Sequence, residues 1–296
     1  MTDSAASTGR HMSLQAPAKI NLFLHVVGRR ADGYHLLQSV FQLIDLADTL
    51  HFDLRDDGQI VLAAPLSGVA PEDDLCVRAA RLLERAARRP MPGATITVDK
   101  RIPMGGGLGG GSSDAATTLL ALNHLWALGL SRAQLAELGL ALGADVPFFI
   151  GGSNAWVEGI GEQLTPLQLP QRWFLVVHPG VGVATPTVFK APDLTRNTPS
   201  VIISDFVRAA SASELFGRND LQPVAERLEP AVKLAAQALP GSRMSGSGAC
   251  VFAAFDNEAA ANAALHSLRE RNALPAQARM WVVKGLDQYP AAALAQ

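Results

Sequence analysis

Six of the seven residues from Gly105 to Gly111 are glycine, inside the stretch PMGGGLGGGSSDAATTLLALN that runs from Pro103 to Asn123. A glycine inside a regular element costs roughly 0.5–1 kcal/mol relative to alanine. So dense a run predicts a loop, and a use for backbone without side chains. ATITVDK (94–100) precedes it and has the β-branched alternation of a strand. Behind it, an apolar helix is expected from about Ser113 to Leu128, stopped by Gly129. A strand, a glycine loop and a helix N-terminus in that order make a site for an anion. The unpaired N–H groups of the first turn point outward, and the helix dipole favours negative charge there. Ser112 and Ser113 add hydroxyls where a phosphate or its magnesium would sit. The plainer reading is a glycine-rich surface turn capping a core helix.

Three familiar phosphate loops fit poorly. Gly105-x-Gly107-x-x-Gly110 satisfies the dinucleotide fingerprint, as almost any run of six glycines would, but no acidic residue lies between Asp114 and Glu137 to take a ribose. A Walker A loop ends in Gly-Lys, and here Ser112 follows Gly111. The protein-kinase loop comes with HRD and DFG sequences, and the chain has neither.

Composition narrows the classes further. The formal net charge is −2 over 296 residues, without a polybasic or acidic block, which argues against nucleic acid or an anionic membrane as the main partner. No apolar run reaches the roughly 18–20 residues of a membrane span. Two distant cysteines, Cys76 and Cys250, exclude a disulfide framework and fit the cytoplasm. The scattered histidines form no metal-ligand cluster, so no protein metal site is expected.

AKINLFLHVV (18–27) reads as a strand with Ile20, Leu22, Leu24 and Val26 on one face and Lys19, Asn21, Phe23 and His25 on the other. Asp32-Gly33 is a turn signal, and strand follows it. A helix is expected over 74–88 with Asp73 or Asp74 as cap, and another from Ser131 with Gln134 completing a capping box. Pro147 disfavours helix at Val146. Prolines within 164–172 mark a boundary. Beyond it come strands WFLVVHPG, ACVFAAF and ARMWVVKG and two long helices, about 220–239 and 257–271. The expected organisation is α+β: a flexible extension (1–13), one domain over 14–168 and a second over 169–296, meeting at a cleft.

The loop resembles that of the galactokinase, homoserine kinase, mevalonate kinase and phosphomevalonate kinase superfamily, and its doubled form is similar to the 4-diphosphocytidyl-2-C-methyl-D-erythritol kinase branch. PAKINLFLHVVGRRADGYHLLQSVFQLIDLAD (17–48), LGADVPFFIGG (142–152), VATPTVFKAPDLTRNTP (183–199) and RMSGSGACVFAAF (243–255) resemble further blocks of that branch, in its order. The resemblance implies a two-domain small-molecule kinase fold, with an N-terminal nucleotide-binding domain, a C-terminal ferredoxin-like domain and the active site between them. It implies ATP as phosphoryl donor, Mg2+ arriving with ATP, and an acceptor carrying a cytidine diphosphate group, phosphorylated on its 2-hydroxyl.

By the same resemblance, Lys19 and Asp145 are the catalytic pair. Pro103, Met104, Gly105, Gly106, Gly107, Leu108, Gly109, Gly110, Gly111, Ser112 and Ser113 hold the nucleotide. Asn21, Tyr34, His35, Thr185 and Phe189 meet the acceptor, Tyr34 and Phe189 as the walls of a base slot. The Gly246-Ser247-Gly248 loop is expected to line the same cleft. Without the resemblance, Asp145 reads equally well as a cap of the next helix, Lys19 as an edge lysine and Phe189 as core. Several members of the branch carry Asn where this chain has Asp74 and Asp114. A carboxylate at Asp114 would repel a polyphosphate, so it must point away or act through magnesium. A homoserine or mevalonate kinase, a non-catalytic nucleotide sensor and, last, a nicotinamide dehydrogenase remain as alternatives.

Overall fold

The computed structural model of the chain describes residues 9–65, 68–211 and 216–295. β1 (His11–Arg29) and β2 (His35–Arg55) form a long antiparallel hairpin, with His11 opposite Asp53 at one end and Arg29 opposite His35 at the other. Its turn holds Gly33 at φ 93°, a value that favours glycine. The hairpin starts earlier than the sequence led us to expect. His11–Ser13 fall within the expected flexible extension, yet they pair with 51–53, and His11 Nδ1 lies 2.7 Å from the Asp53 carboxylate. Residues 1–8 of that extension lie outside the described residues. The alternation of β1 is broken by register shifts between Pro17 and Lys19, Asn21 and Leu24, and Val26 and Gly28. Such bulges turn the strand locally, and both faces of its middle are buried against different neighbours.

β3 (Ile60–Leu62), α1 (Leu75–Ala87), β4 (Gly93–Asp99), α2 (Gly110–Leu125), α3 (Arg132–Leu140), α4 (Val146–Gly151), β5 (Ala155–Glu158) and β6 (Gln163–Pro166) build the first lobe around the hairpin. Asp74 starts α1, its Oδ1 accepting from the N–H groups of Cys76 at 2.8 Å and Val77 at 3.4 Å. Ser131 and Gln134 start α3 with the expected reciprocal capping box. From Ser113 to Asn123, α2 is buried all round, packed against α1, α4 and the hairpin. It begins at Gly110, three residues earlier than expected.

The second lobe holds β7 (Trp173–His178), α5 (Thr185–Lys190), α6 (Ile203–Ser211), α7 (Gln222–Leu228), α8 (Pro230–Ala238), β8 (Arg243–Met244), β9 (Val251–Phe255), α9 (Glu258–Glu270) and β10 (Arg279–Leu286). The single helix expected over 220–239 is two. Pro230 disfavours helical geometry at Glu229, which sits at φ −130°, ψ 91°. Among the described residues the strands join in one sheet, in the order β3-β4-β2-β10-β7-β9-β8, with β1 and β5 also on β2. β10 links the lobes: Gly285 and Leu286 pair with Ile44 and Leu43, while Arg279–Lys284 pair with β7. The expected division after 168 falls between β6 and β7. The chain's last residues nevertheless return to the first lobe, where Tyr289, Ala291, Ala292 and Ala295 share its core with α2 and α4. Among the described residues no helix is long and apolar enough to cross a membrane.

Candidate active site

The strand-to-loop exit is pinned by one buried carboxylate. Asp48 Oδ1 accepts from the backbone N–H groups of Arg101 (2.6 Å) and Ile102 (2.8 Å), and Asp48 Oδ2 accepts from Lys100 Nζ at 2.6 Å. The glycine loop then turns its carbonyls into the protein. Gly105 O and Gly106 O accept from Ala249 N and Cys250 N, at 3.1 and 3.0 Å. Gly107 O accepts from Ser245 Oγ (2.9 Å), and Leu108 O from Lys19 N (2.9 Å). The loop thus lies against both lobes and delivers the N-terminus of α2, whose first N–H groups have no helical acceptor, to the edge of a cavity of 540 Å³. Pro103 through Ser112 line this cavity with Asp73, Asp74, Lys100 and Asp114.

Ser113 is not among them. Successive helix residues point about 100° apart, so only one of the serine pair faces the loop's cavity. Ser113 Oγ is buried, donates to Pro17 O at 2.7 Å and lies 2.9 Å from the Tyr289 hydroxyl. Its side chain locks α2 to β1 and to the chain's tail, and only its backbone remains near the loop. Asp114 does reach this cavity, but as a buried carboxylate held by a lysine. Its Oδ2 accepts from Lys100 Nζ at 2.7 Å, on the ammonium group that Asp48 also holds. Two carboxylates share one cation, so burial and then the charge of Asp48 outweigh Lys100 and push the Asp114 carboxyl up to about 7. Asp74, the other departure from the family pattern, is occupied as the cap of α1.

Lys19 and Asp145 meet beside the loop. Lys19 is 3% exposed, its Nζ donates to Asn21 Oδ1 at 2.7 Å, and the same nitrogen stands 3.3 Å from Asp145 Oδ2 and 4.3 Å from the centre of the Phe41 ring. A buried ammonium is costly without partners, and these three neighbours hold it in one place. Asn21 is itself fixed, its Nδ2 donating to Ser39 Oγ at 2.9 Å. Gly109 sits at φ 72° against the lysine's stem, and a Cβ there would lie 3.2 Å from Lys19 Cγ and Cε. The glycine that opens α2 therefore gives room to the lysine. Asp145 occupies the cap position of α4 but makes no capping hydrogen bond, and its side chain stays 29% exposed. It faces a central cavity of 340 Å³ with Lys19, Asn21, Thr185 and the loop Gly246-Ser247-Gly248.

An outer cavity of 660 Å³ adjoins, lined among others by Tyr34, His35, Thr185, Phe189 and Arg196. The exposed Tyr34 ring and the Phe189 ring, from separate chain segments, both line it. His35 stacks near Phe189, with ring centres 5.1 Å apart and planes at 32°. Burial lowers the His35 pKa, as do Arg196 and Arg29, which favours the neutral ring. Thr185 borders all three cavities, its Oγ1 2.5 Å from Ser247 Oγ. Shared walls join the cavities into one trench, with Lys19 and Asp145 in its middle section. Sequence reasoning missed Lys100, Ser39, Phe41, Ser245 and Arg196. Arg196 stands in the quoted block at 183–199, but only its contacts give it a part.

Among the described residues no group of three or more His, Cys, Asp or Glu side chains is placed to hold a metal ion. The glycine loop itself adds the Ser112 hydroxyl to this cavity, and Thr185 adds another from the second lobe. This donor set fits magnesium held by phosphate oxygens rather than by a protein cage.

The model for the GHMP kinases N terminal domain matches residues 74–153, and that for GHMP kinases C terminal matches 197–274. The chain is 57% identical to a 4-diphosphocytidyl-2-C-methyl-D-erythritol kinase of Janthinobacterium sp. (strain Marseille), over 95% of this chain and 96% of that one. A protein of the same name from Herminiimonas arsenicoxydans is 56% identical over 95% and 96%. Among solved structures, a 4-(cytidine 5'-diphospho)-2C-methyl-D-erythritol kinase superposes with a TM-score of 0.78 at 38% identity, covering 93% of this chain and 99% of that one. A homoserine kinase from Cytophaga hutchinsonii, at 16% identity and a TM-score of 0.70 over 98% and 99%, shares the fold.

Proposed function

The chain belongs to the 4-diphosphocytidyl-2-C-methyl-D-erythritol kinases, a branch of the GHMP kinases, and from that premise we propose the reaction and the part each residue takes in it. The enzyme transfers the γ-phosphoryl group of ATP to the 2-hydroxyl of 4-diphosphocytidyl-2-C-methyl-D-erythritol, giving the 2-phosphate and ADP, a step of non-mevalonate isoprenoid precursor synthesis in the cytoplasm. The observation that carries this reading is the trench. A glycine-lined section fit for a nucleotide and an aromatic-walled section fit for a second base flank the section that holds Lys19 and Asp145.

ATP takes the glycine-lined section, its phosphates toward the loop from Pro103 to Ser112 and the α2 N-terminus. The cytidine group takes the outer section between Tyr34 and Phe189, where stacking on a base contributes roughly 1–3 kcal/mol and His35 offers a ring nitrogen to the cytosine edge. Thr185 stands where the two sections meet the centre. Asp145 accepts the proton of the acceptor hydroxyl as the new O–P bond forms. The bond from the γ-phosphorus to the β-phosphate oxygen breaks, and ADP leaves with that electron pair. Lys19 keeps Asp145 ionised and offsets charge on the transferred group. In so loose a transition state, positioning and charge carry most of the rate. Magnesium, when bound with ATP, would supply further charge neutralisation, with the Ser112 hydroxyl as a group of the glycine loop that could help hold it.

The test is transfer from ATP to a panel of acceptors: the cytidine substrate, methylerythritol phosphate without cytidine, homoserine and mevalonate. Turnover confined to the cytidine substrate supports the proposal. Turnover of homoserine or mevalonate instead, or of none, overturns it.

A further inference from the structure

Arg196 spends its guanidinium on four acceptors. Nη1 donates to Leu194 O at 3.0 Å, and Nη2 to Phe189 O (3.0 Å) and Ala191 O (2.7 Å). Nε donates to His35 Nε2 at 3.0 Å. The first three bonds fold the segment after α5 around one planar cation and fix the backbone at Phe189. The fourth reaches across to the start of β2, 161 residues away in sequence. A guanidinium does not give up its protons in a protein, so its Nε–H is always a donor. His35 Nε2 must then be an acceptor, and the ring's one proton is on Nδ1. Among the described residues Nδ1 has no hydrogen-bond partner. It is left as the ring's donor for an incoming ligand.

The charged groups around this ring oppose a second proton. Arg29 at the end of β1, Lys190 at the end of α5 and Arg196 line the outer cavity, and its one carboxylate, Asp32, is paired with Arg30 at 2.7 Å. Among the described residues no unpaired carboxylate lines the cavity to stabilise an imidazolium.

We propose that Arg196 is the positioning residue of the acceptor's base site. Through its bond to His35 Nε2 it holds His35 as the neutral Nδ1–H tautomer, and through the carbonyls of Phe189, Ala191 and Leu194 it sets the facing aromatic wall. The site therefore presents one fixed neutral donor beside a fixed ring before any ligand arrives. That pattern suits cytosine, whose O2 and N3 are both acceptors on one edge. The inference rests on the reading of the outer cavity as the cytidine section, but the link between Arg196 and His35 can be tested without it.

Two measurements decide it. The first is nitrogen NMR of the His35 ring in the ligand-free protein, assigned by the loss of its signals in His35→Gln. The wild type is expected to show the Nδ1–H tautomer and to protonate at lower pH than Arg196→Met, which is expected to show a mixture of tautomers. A wild-type ring protonated on Nε2 overturns the proposal. The second is steady-state kinetics at saturating ATP across pH 5.5–8.5. Arg196→Met is expected to raise KM for the cytidine substrate about tenfold, the size of one lost hydrogen bond, while kcat stays within about threefold. Its KM should fall back toward the wild-type value as the pH drops through the histidine range, because an imidazolium carries Nδ1–H whichever neutral tautomer it came from, whereas the wild-type KM should depend less on pH. Arg196→Lys keeps the charge but not the fork and is expected to recover less than half of that loss in KM. A KM within twofold of wild type in both variants, with an unchanged pH profile, overturns the proposal. Failure of the wild type to turn over any cytidine substrate would refute the functional reading instead, and the tautomer measurement would still judge Arg196.

Discussion

Gly107 is the glycine of the loop that the structure protects most strictly, and Gly107→Ala tests how the loop is held. Its φ is 72°, where an alanine costs about 1–2 kcal/mol. The added Cβ would overlap the carbonyl oxygen of Ser245 and sit 3.0 Å from both N and O of Gly248. All three are backbone atoms, so no side chain can swing away. Relief requires parting the glycine loop from residues 245–250, which puts at risk the bonds from Ala249 N to Gly105 O, from Cys250 N to Gly106 O and from Ser245 Oγ to Gly107 O. At about 0.5–1.5 kcal/mol net for each bond, the total loss is roughly 3–6 kcal/mol. For a chain of this size, 1 kcal/mol moves Tm by about 2–4 °C, so Tm should fall by about 10 °C. Gly111→Ala is the internal control. Gly111 has no positive φ, and its Cβ would meet only the end of the Leu75 side chain at 3.2 Å. In the first turn of α2 it should leave Tm unchanged or slightly raised, since alanine favours helix over glycine by up to about 1 kcal/mol. Calorimetry of the two ligand-free variants decides. A Gly107→Ala Tm within about 2 °C of wild type, or equal losses in both variants, would refute the reasoning.

Asp145→Asn should lower kcat at least about a hundredfold, the scale of a lost general base, while KM for both substrates stays within about threefold; turnover within tenfold of wild type would remove Asp145 from the chemistry. Ser113→Ala should cost about 1–3 kcal/mol of stability, because it strips a partner from the buried Pro17 carbonyl and Tyr289 hydroxyl, and should leave KM for ATP unchanged in initial-rate assays. Asp114 holds a proton in the folded chain that an unfolded chain releases near pH 4. Its contribution is therefore greatest below about pH 4 and is lost as the pH rises toward about 7. Asp114→Asn should flatten the slope of Tm against pH across that window, and an unaltered slope would show that Asp114 does not titrate there.

The local parts of the site were legible because their causes are local. Period-two alternation placed Lys19 and Asn21 on one strand face, and the structure joins them directly. Ser131 with Gln134 announced a helix start through a reciprocal bond three residues long. The glycine run announced the loop. What stayed hidden depends on partners distant in sequence. The Ser112-Ser113 pair reads as two equivalent hydroxyls until Tyr289, 176 residues on, claims the second. Asp114 reads as a hazard to a polyphosphate until Lys100 and Asp48 are seen around it. The start of β1 looked like a polar extension because His11 and Ser13 carry no apolar signal, and their order comes from pairing with 51–53. Arg196 gave no sign at all, since an isolated arginine in a proline-rich segment reads as surface.

The central claim is that Lys19 and Asp145 direct one phosphoryl group onto one hydroxyl, between a nucleotide and a cytidine held at opposite ends of a trench. Phosphorus and carbon NMR of the product from ATP and 4-diphosphocytidyl-2-C-methyl-D-erythritol tests it most directly. The account predicts a single new phosphomonoester on the tertiary 2-oxygen, formed in step with ADP. A phosphate on another hydroxyl, or ADP released without a phosphorylated acceptor, would contradict it.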